Sequence, residues 1–424
     1  MSRGARASWG IRALFAIGAV GLAARFVLAW LSVGCYDITL WQGHARAILD
    51  QGIRQTFKTR ALYNHPPLAG YWAALSLALA KGSTYRFSIW LKLPGLLVEV
   101  LSAVLIYRIA ARKDRLAGAK AFAAYGVSLT AILVAAYHGN TDAVYAGLTL
   151  LAAYAIEESA PFWAGAAMAL AMNVKLLPIF LVPPFLACCR SWRAMARFLA
   201  GLSLAVIPAL PFLLTIPRTM FKNMVSYNSV RDEWGLGAFF NYGAQSGKSA
   251  PLVAAIAKAY IPNGRFVILA SVVVIAIAAR LRPRWTAYEL GALAWAMFLI
   301  LTPGFGIQYS ICIVPLLFAS DVKTALVYST LSGFFLAGIY VASLNWVLPL
   351  RADIHAPYAK VSVLFGVLAW AGLIKFVVVT FVRRLRPSRL GDPQRLADHR
   401  AAVQSEQQRE GVQGQGAEVD AAAG

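Results

Sequence analysis

The sequence predicts an all-α polytopic membrane protein with about twelve transmembrane helices. Three observations carry that. Of 424 residues, 59% are hydrophobic and 14% charged, with mean hydropathy +0.62, whereas soluble domains hold about 45–50% apolar and about 25% charged residues. The apolar residues are grouped into runs of about 20, the length that spans hydrocarbon. The basic surplus, 40 Lys and Arg against 18 Asp and Glu, collects between alternate runs, as it does in cytoplasmic loops. A cytosolic enzyme, a secreted disulfide scaffold and a nucleic-acid binder are thereby excluded.

Residues 1–12, with Arg3, Arg6 and Arg12, read as a cytoplasmic N-terminus. The run 13–33 lacks a small-residue cleavage site and reads as an anchor. Further spans fall near 88–108, 118–137, 141–156, 161–174, 176–189, 194–214, 262–280, 286–303, 308–320, 322–343 and 360–382. The clusters Arg108/Arg112/Lys113/Arg115/Lys120, Arg190/Arg193/Arg197, Arg280/Arg282/Arg284 and Arg383/Arg384/Arg386/Arg389 then share the side of the N-terminus, the cytoplasmic one. The transmembrane body runs over 13–386, and the polar stretch 387–424 reads as a disordered cytoplasmic tail.

Three segments remain outside: 34–87, 215–261 and 344–359. In the first, Ile38, Trp41, Ala45 and Ile48 follow helical spacing, with Gln42, Arg46 and Asp50 opposite, which predicts an amphipathic helix at the interface. Residues 66–81 are apolar but barely long enough to cross, and read as a partly embedded outer helix. The outer segments are basic themselves (Arg46, Arg54, Lys58, Arg60, Lys81 and Arg86; then Arg218, Lys222, Arg231, Lys248 and Lys258). Two readings stand: an anionic ligand such as a lipid phosphate, or attraction to acidic headgroups. Cys35, Cys188, Cys189 and Cys312 show no metal spacing and read as small hydrophobes.

Ionisable groups near hydrocarbon need a reason. Asp37 follows span 1, His138 and Asp142 mark one outer turn, and Lys175 marks another. Asp37 and Asp142 each admit a catalytic or binding role and a helix-capping one, while Lys175 admits a ligand role and snorkelling. Glu99 reads as structural, paired with Lys92 or Arg108. His65, before two prolines, reads as a turn residue near substrate. His44 and His355 read as surface or interface histidines, and Trp234 as part of an aromatic belt.

The order of motifs resembles the GT-C superfamily of polytopic glycosyltransferases, especially bacterial polyprenyl-phosphate-sugar-dependent members. The motifs are Asp37, Trp41 and Gly52; Tyr63-Asn64-His65-Pro66-Pro67-Leu68; Lys92-Leu93-Pro94 with Glu99; His138-Gly139-Asn140-Thr141-Asp142; Asn173-Val174-Lys175-Leu176-Leu177-Pro178; and Trp234-Gly235 with Thr302-Pro303-Gly304-Phe305-Gly306-Ile307-Gln308-Tyr309. The Gly-Gln-x-Asp turn of the family lacks its Gln here, and its Lys-x-x-x-Pro turn is one residue shorter. The resemblance implies inverting transfer of a mannose- or glucose-like hexose from a polyprenyl phosphate to an acceptor hydroxyl on a glycolipid or glycan, on the extracytoplasmic face of the plasma membrane. It implies Asp37 as general base, with Lys175, Arg231 and Arg60 facing the leaving phosphate. His138 and Asp142 would bind sugar or orient Asp37, Gln308 and Tyr309 would bond donor or acceptor, and His65 would touch substrate. No cofactor or metal is implied beyond the lipid-linked donor. The second class the sequence admits is a multi-span transporter or lipid flippase.

Overall fold

The computed structural model describes residues 3–225, 234–244, 250–282, 285–343 and 355–385, and every regular element among them is helical. Arg231, Lys248, residues 344–354 of the third outer segment and the expected tail 387–424 lie outside the described residues. Residues 1–378 form one compact unit; residues 379–424 form a second, of which 379–385, the end of the last helix, are described.

Helix α1 (Arg3–Leu31) leads through a short turn into α2 (Asp37–Thr59) and α3 (Pro67–Ala80). The expected amphipathic face holds: Ile38, Trp41, Ala45 and Ile48 are buried, and Arg46 and Asp50 are exposed. Gly52, at φ 78°, kinks α2 without ending it, so Ile53 and Phe57 join the buried face. Helix α3 has the short outer helix's expected place. Its Ala69, Ala73 and Ala80 pack on Ile38, Trp41 and Ala45, and on Phe87 and Leu91 of α4 (Thr84–Ala111). Ser83 caps α4 by accepting from the Arg86 amide.

Next come α5 (Arg115–Gly126) and α6 (Leu129–Ile132), the latter running into a π-turn over Leu133–His138. Then follow α7 (Asp142–Glu157), α8 (Pro161–Val174), α9 (Val182–Cys188), α10 (Trp192–Leu202), α11 (Val206–Thr215), α12 (Pro217–Val225) and α13 (Gly235–Ala244). The chain continues through α14 (Ala250–Leu281), α15 (Ala287–Leu301), a 3-10 turn over Ile307–Ile311, α16 (Val314–Ser320), α17 (Val322–Ser343) and α18 (His355–Leu385). Helices α8 and α10 cross at Gly165 and Gly201, where an added Cβ would sit 2.0 Å from the facing carbonyls of Phe198 and Phe162. Small residues permit such contact between membrane helices.

Every expected span is helical, yet the count of twelve crossings is not reached by length. Among the described residues, six helical segments (α10 with α11 counted as one), or seven if the bent α5–α6 pair is one span, are long and apolar enough to cross a membrane. Helices such as α3 and α8, at 14 residues, reach about 21 Å at 1.5 Å per residue, short of about 30 Å of hydrocarbon. The runs between the turns expected near Gly139 and Lys175 do form the helices α7 and α8, but at 16 and 14 residues they are too short to pass a test of length.

Glu99 does not pair with Lys92 or Arg108. Its Oε2 takes Arg25 Nε at 3.1 Å and its Oε1 the Tyr125 hydroxyl at 2.9 Å, all three side chains being buried. Arg25 also donates to the carbonyls of Gly21, Gly126 and Tyr125, at 2.6–3.0 Å, which ties α1, α4 and α5 together. Lys92 donates instead to the Ser32 carbonyl at 2.8 Å. At the basic end, Arg190 donates to the Ala279 and Arg280 carbonyls and Arg280 to those of Cys189 and Arg190. The two arginines thereby satisfy the open C-terminal carbonyls of α9 and α14.

Candidate active site

The site lies where the turn between α1 and α2 meets the turn between the π-helix and α7. Two glycines set that approach. Gly34 (φ 111°) leaves no room for a Cβ, which would fall 2.8 Å from the Tyr137 carbonyl, and Gly139 (φ 80°) faces Ile38 in the same way. The Cys35 amide donates to the His138 carbonyl at 3.2 Å. Asp37 is thereby set beside His138 and Asn140, about a hundred residues away in the chain.

Both neighbours hold the same carboxylate oxygen. Asp37 Oδ2 is 3.1 Å from His138 Nε2 and accepts from Asn140 Nδ2 at 2.6 Å. Asn140 is itself oriented, because its Oδ1 accepts from Trp41 Nε1 at 3.2 Å and from the Thr141 amide at 2.7 Å. No described hydrogen bond reaches Asp37 Oδ1, and the side chain is 27% exposed. The carboxylate does not cap its own helix. Burial raises the Asp37 pKa, but the His138 charge, hydrogen bonds from His138 and Asn140, and the Lys175 charge outweigh it and bring the value down to about 2. The far side of His138 meets the Tyr340 hydroxyl, 2.9 Å from Nδ1, and Cys35 Sγ at 3.4 Å.

A second pair stands nearby. Lys175, in the turn after α8, donates to Asp142 Oδ1 at 3.0 Å, and the Tyr145 hydroxyl donates to the same oxygen at 2.6 Å. Oδ2 of this fully buried carboxylate has no partner. The Lys175 ammonium lies 4.5 Å from the Tyr309 ring centroid. Burial lowers the Lys175 pKa, but the Asp142 charge overrides it and the net shift is upward, so the group is a cation at any working pH.

Between these pairs runs a buried aromatic wall. The His65 ring lies 4.2 Å from Trp41, and His44 lies 5.3 Å from Tyr63, centroid to centroid. Burial, with the Lys175 and His44 charges, pushes the His65 pKa well down, and burial with Arg60 lowers that of His44 to about 4. Both rings are therefore neutral at physiological pH, and each leaves Nδ1 without a partner.

Of the expected site residues, the structure gathers Asp37, His138, Asp142, Lys175, Tyr309 and His65. Gln308 is half-buried at the start of the 3-10 turn, and Arg60 lies against Gly43 and His44. Arg231 is outside the described residues. His44, expected at the surface or an interface, is buried; it lies two helical turns from Asp37 on the α2 face that carries Trp41 and Ala45. Trp234 is no belt residue. It is buried, stacks on Phe305 at 4.8 Å and donates to the Leu299 carbonyl. Asn140 was visible only as part of a motif. Tyr340 carried no signal, since α17 reads as an ordinary apolar span.

The family model described as Glycosyltransferase family 87 matches residues 57–303, more than half of the chain. No curated protein matches by sequence. The fold is similar to ArnT from Cupriavidus metallidurans bound to undecaprenyl phosphate, at 17% identity over 87% of this chain and 72% of that one, with a TM-score of 0.46. It is likewise similar to the apo state of ArnT, at 16% identity over 88% and 74%, with a TM-score of 0.47.

Proposed function

The chain belongs to glycosyltransferase family 87, and on that premise we propose that it moves a hexose from a polyprenyl phosphate to an acceptor hydroxyl, with inversion and with Asp37 as general base. The observation that carries the proposal is the asymmetry of the Asp37 carboxylate: Oδ2 is bound by His138 and Asn140, and Oδ1 is open. The acceptor hydroxyl hydrogen-bonds to Oδ1, its oxygen attacks the anomeric carbon, and the bond from that carbon to the phosphate oxygen breaks. A carboxylate with a pKa of about 2 is a weak base for a free alcohol. The hydroxyl, however, becomes strongly acidic as the new C–O bond forms, so the proton passes late in the step.

The leaving phosphate needs positive charge rather than an acid. Lys175 spends one N–H on Asp142 and keeps two more donors for phosphate oxygens; Arg60 and Arg231 are the further cations of this reading. The unpartnered Asp142 Oδ2 and His65 Nδ1 suit sugar hydroxyls, while His138 orients Asp37. Gln308 and Tyr309 line the same approach. Cys35, Asp37 and His138 each offer a donor atom within 4.8 Å of the others, but the proposed reaction assigns Asp37 and His138 to each other. It needs no metal, so transfer should survive chelation with EDTA.

The site faces outward in this reading, because the Arg190 and Arg280 clusters mark the opposite end as cytoplasmic. Both termini are then cytoplasmic and the acceptor is a glycolipid or glycan of the cell envelope. Membership of a glycosyltransferase family speaks against transport, and among the described residues the charge pair deep among the spanning helices, Arg25 with Glu99, has both carboxylate oxygens taken. The test is sugar transfer from polyprenyl-phosphate hexoses in membranes, comparing wild type with Asp37→Asn at matched amounts of folded protein. Asn keeps the shape but takes no proton, and transfer should fall at least about a hundredfold. An equally active Asn variant would place the base elsewhere.

A further inference from the structure

We infer that Tyr340 is a positioning residue for this base: its hydroxyl holds the His138 ring so that Asp37 Oδ2 stays occupied and Oδ1 faces the acceptor. The inference rests on the reading of Asp37 as the base.

Tyr340 sits near the end of α17, buried, with its ring 5.7 Å from the His138 ring and 4.9 Å from that of Tyr137. Its hydroxyl is 2.9 Å from His138 Nδ1, while Nε2 on the opposite edge is 3.1 Å from Asp37 Oδ2. An ionised carboxylate only accepts, so Nε2 carries a proton and donates it to Asp37. A phenol both donates and accepts. It therefore satisfies Nδ1 whether that nitrogen is bare or protonated, and the ring keeps its place in both states. Cys35 Sγ, 3.4 Å from the same nitrogen, is a weak partner by comparison. The other groups facing this set are Tyr137, Asn140, Lys175, Asp142 and, beyond Gly139, Lys92. Both Asp37 and Tyr340 lie outside the family match at 57–303, so the coupling is read from this chain's own geometry.

The test is Tyr340→Phe, which keeps the ring against Tyr137 and removes the hydroxyl. We expect kcat to fall about ten- to a hundredfold, as misplacement of a reacting group does, with the donor KM unchanged and the acid limb of the pH–kcat profile moved upward. In a His138→Gln background the same substitution should cost nothing further, because the two act as one unit. Wild-type kcat and pH profile in Tyr340→Phe would overturn the inference, as would losses that multiply with His138→Gln. If the Phe variant does not fold, a fluorinated tyrosine at 340 keeps the ring and makes the hydroxyl more acidic; an unmoved acid limb then overturns it. Asp37→Asn separates the two readings: full activity there removes the base itself, whereas an inactive Asn variant beside an unaltered Tyr340→Phe removes only the role of Tyr340.

Discussion

Two sets of buried charge stand in contrast in this molecule. Arg25 and Glu99 are sealed among α1, α4 and α5, and both carboxylate oxygens are taken, while three further N–H groups of the guanidinium go to carbonyls. At the site, Asp37 and Asp142 are held just as firmly on one side, but each keeps an oxygen with no described partner. Burial of a charge therefore does not separate framework from chemistry here. What separates them is whether hydrogen-bonding capacity is exhausted.

The strongest test of that contrast is Glu99→Gln. It strands the Arg25 cation in a dry interior, and loss of one partner from a buried pair costs about 3–5 kcal/mol, readable as a lower unfolding temperature in nanodiscs. Transfer per folded molecule should not change. A stable variant that had lost transfer would break the comparison, since Glu99 would then belong to the chemistry. Next is Lys175→Met, for which we expect at least about a hundredfold loss of transfer, the scale for removing one group that stabilises developing negative charge. Lys175→Arg should recover part of it, and a Met variant as active as wild type would leave the phosphate without its proposed partner.

The His138→Gln variant sharpens the contrast through pH. With the imidazole gone, burial still raises the Asp37 pKa while its largest opposing influence is lost and only Lys175 and Asn140 still lower it, so the value climbs from about 2. Transfer needs the ionised form, so its acid limb should move to higher pH; an unmoved limb would detach His138 from the base. The sign for stability agrees. In wild type the folded pKa is depressed, so ionised Asp37 stabilises the fold above the ordinary value, and that contribution fades as pH falls toward 2. The smallest effect is expected at Tyr63, whose buried hydroxyl has no partner. Tyr63→Phe should be neutral or stabilise by less than about 1 kcal/mol, and a larger loss of transfer than of stability would give that hydroxyl a ligand.

How much of this was legible in the sequence follows from the range of the interactions. The α2 face of Ile38, Trp41, Ala45 and Ile48 is local periodicity, and it was read correctly. The type and place of Asp37, His138, Asp142 and Lys175 were legible because ionisable groups stand out against apolar runs. Their partners were less so: His138 beside Asp37 was one of two implied roles and Arg25 beside Glu99 was missed, since these pairs meet across 101 and 74 residues. Those distances close only through helix packing, which hydropathy does not encode. Tyr340 was invisible for the same reason, compounded by a chemically mild side chain in an apolar helix. The count of twelve crossings is not confirmed by helix length, because several runs read as spans form helices of only 14–16 residues.

The π-turn over Leu133–His138 carries one residue more than an ordinary helical turn would. Successive residues on an α-helix are about 100° apart around its axis. With the wide winding of the turn unchanged, a chain one residue shorter between Leu133 and Tyr137 would keep its apolar runs and its histidine, yet carry that histidine round the axis and away from Asp37. Spacing in this stretch acts as a gauge that sets whether the two meet. In relatives of this chain, a gap there should therefore disable the pair as surely as loss of either side chain.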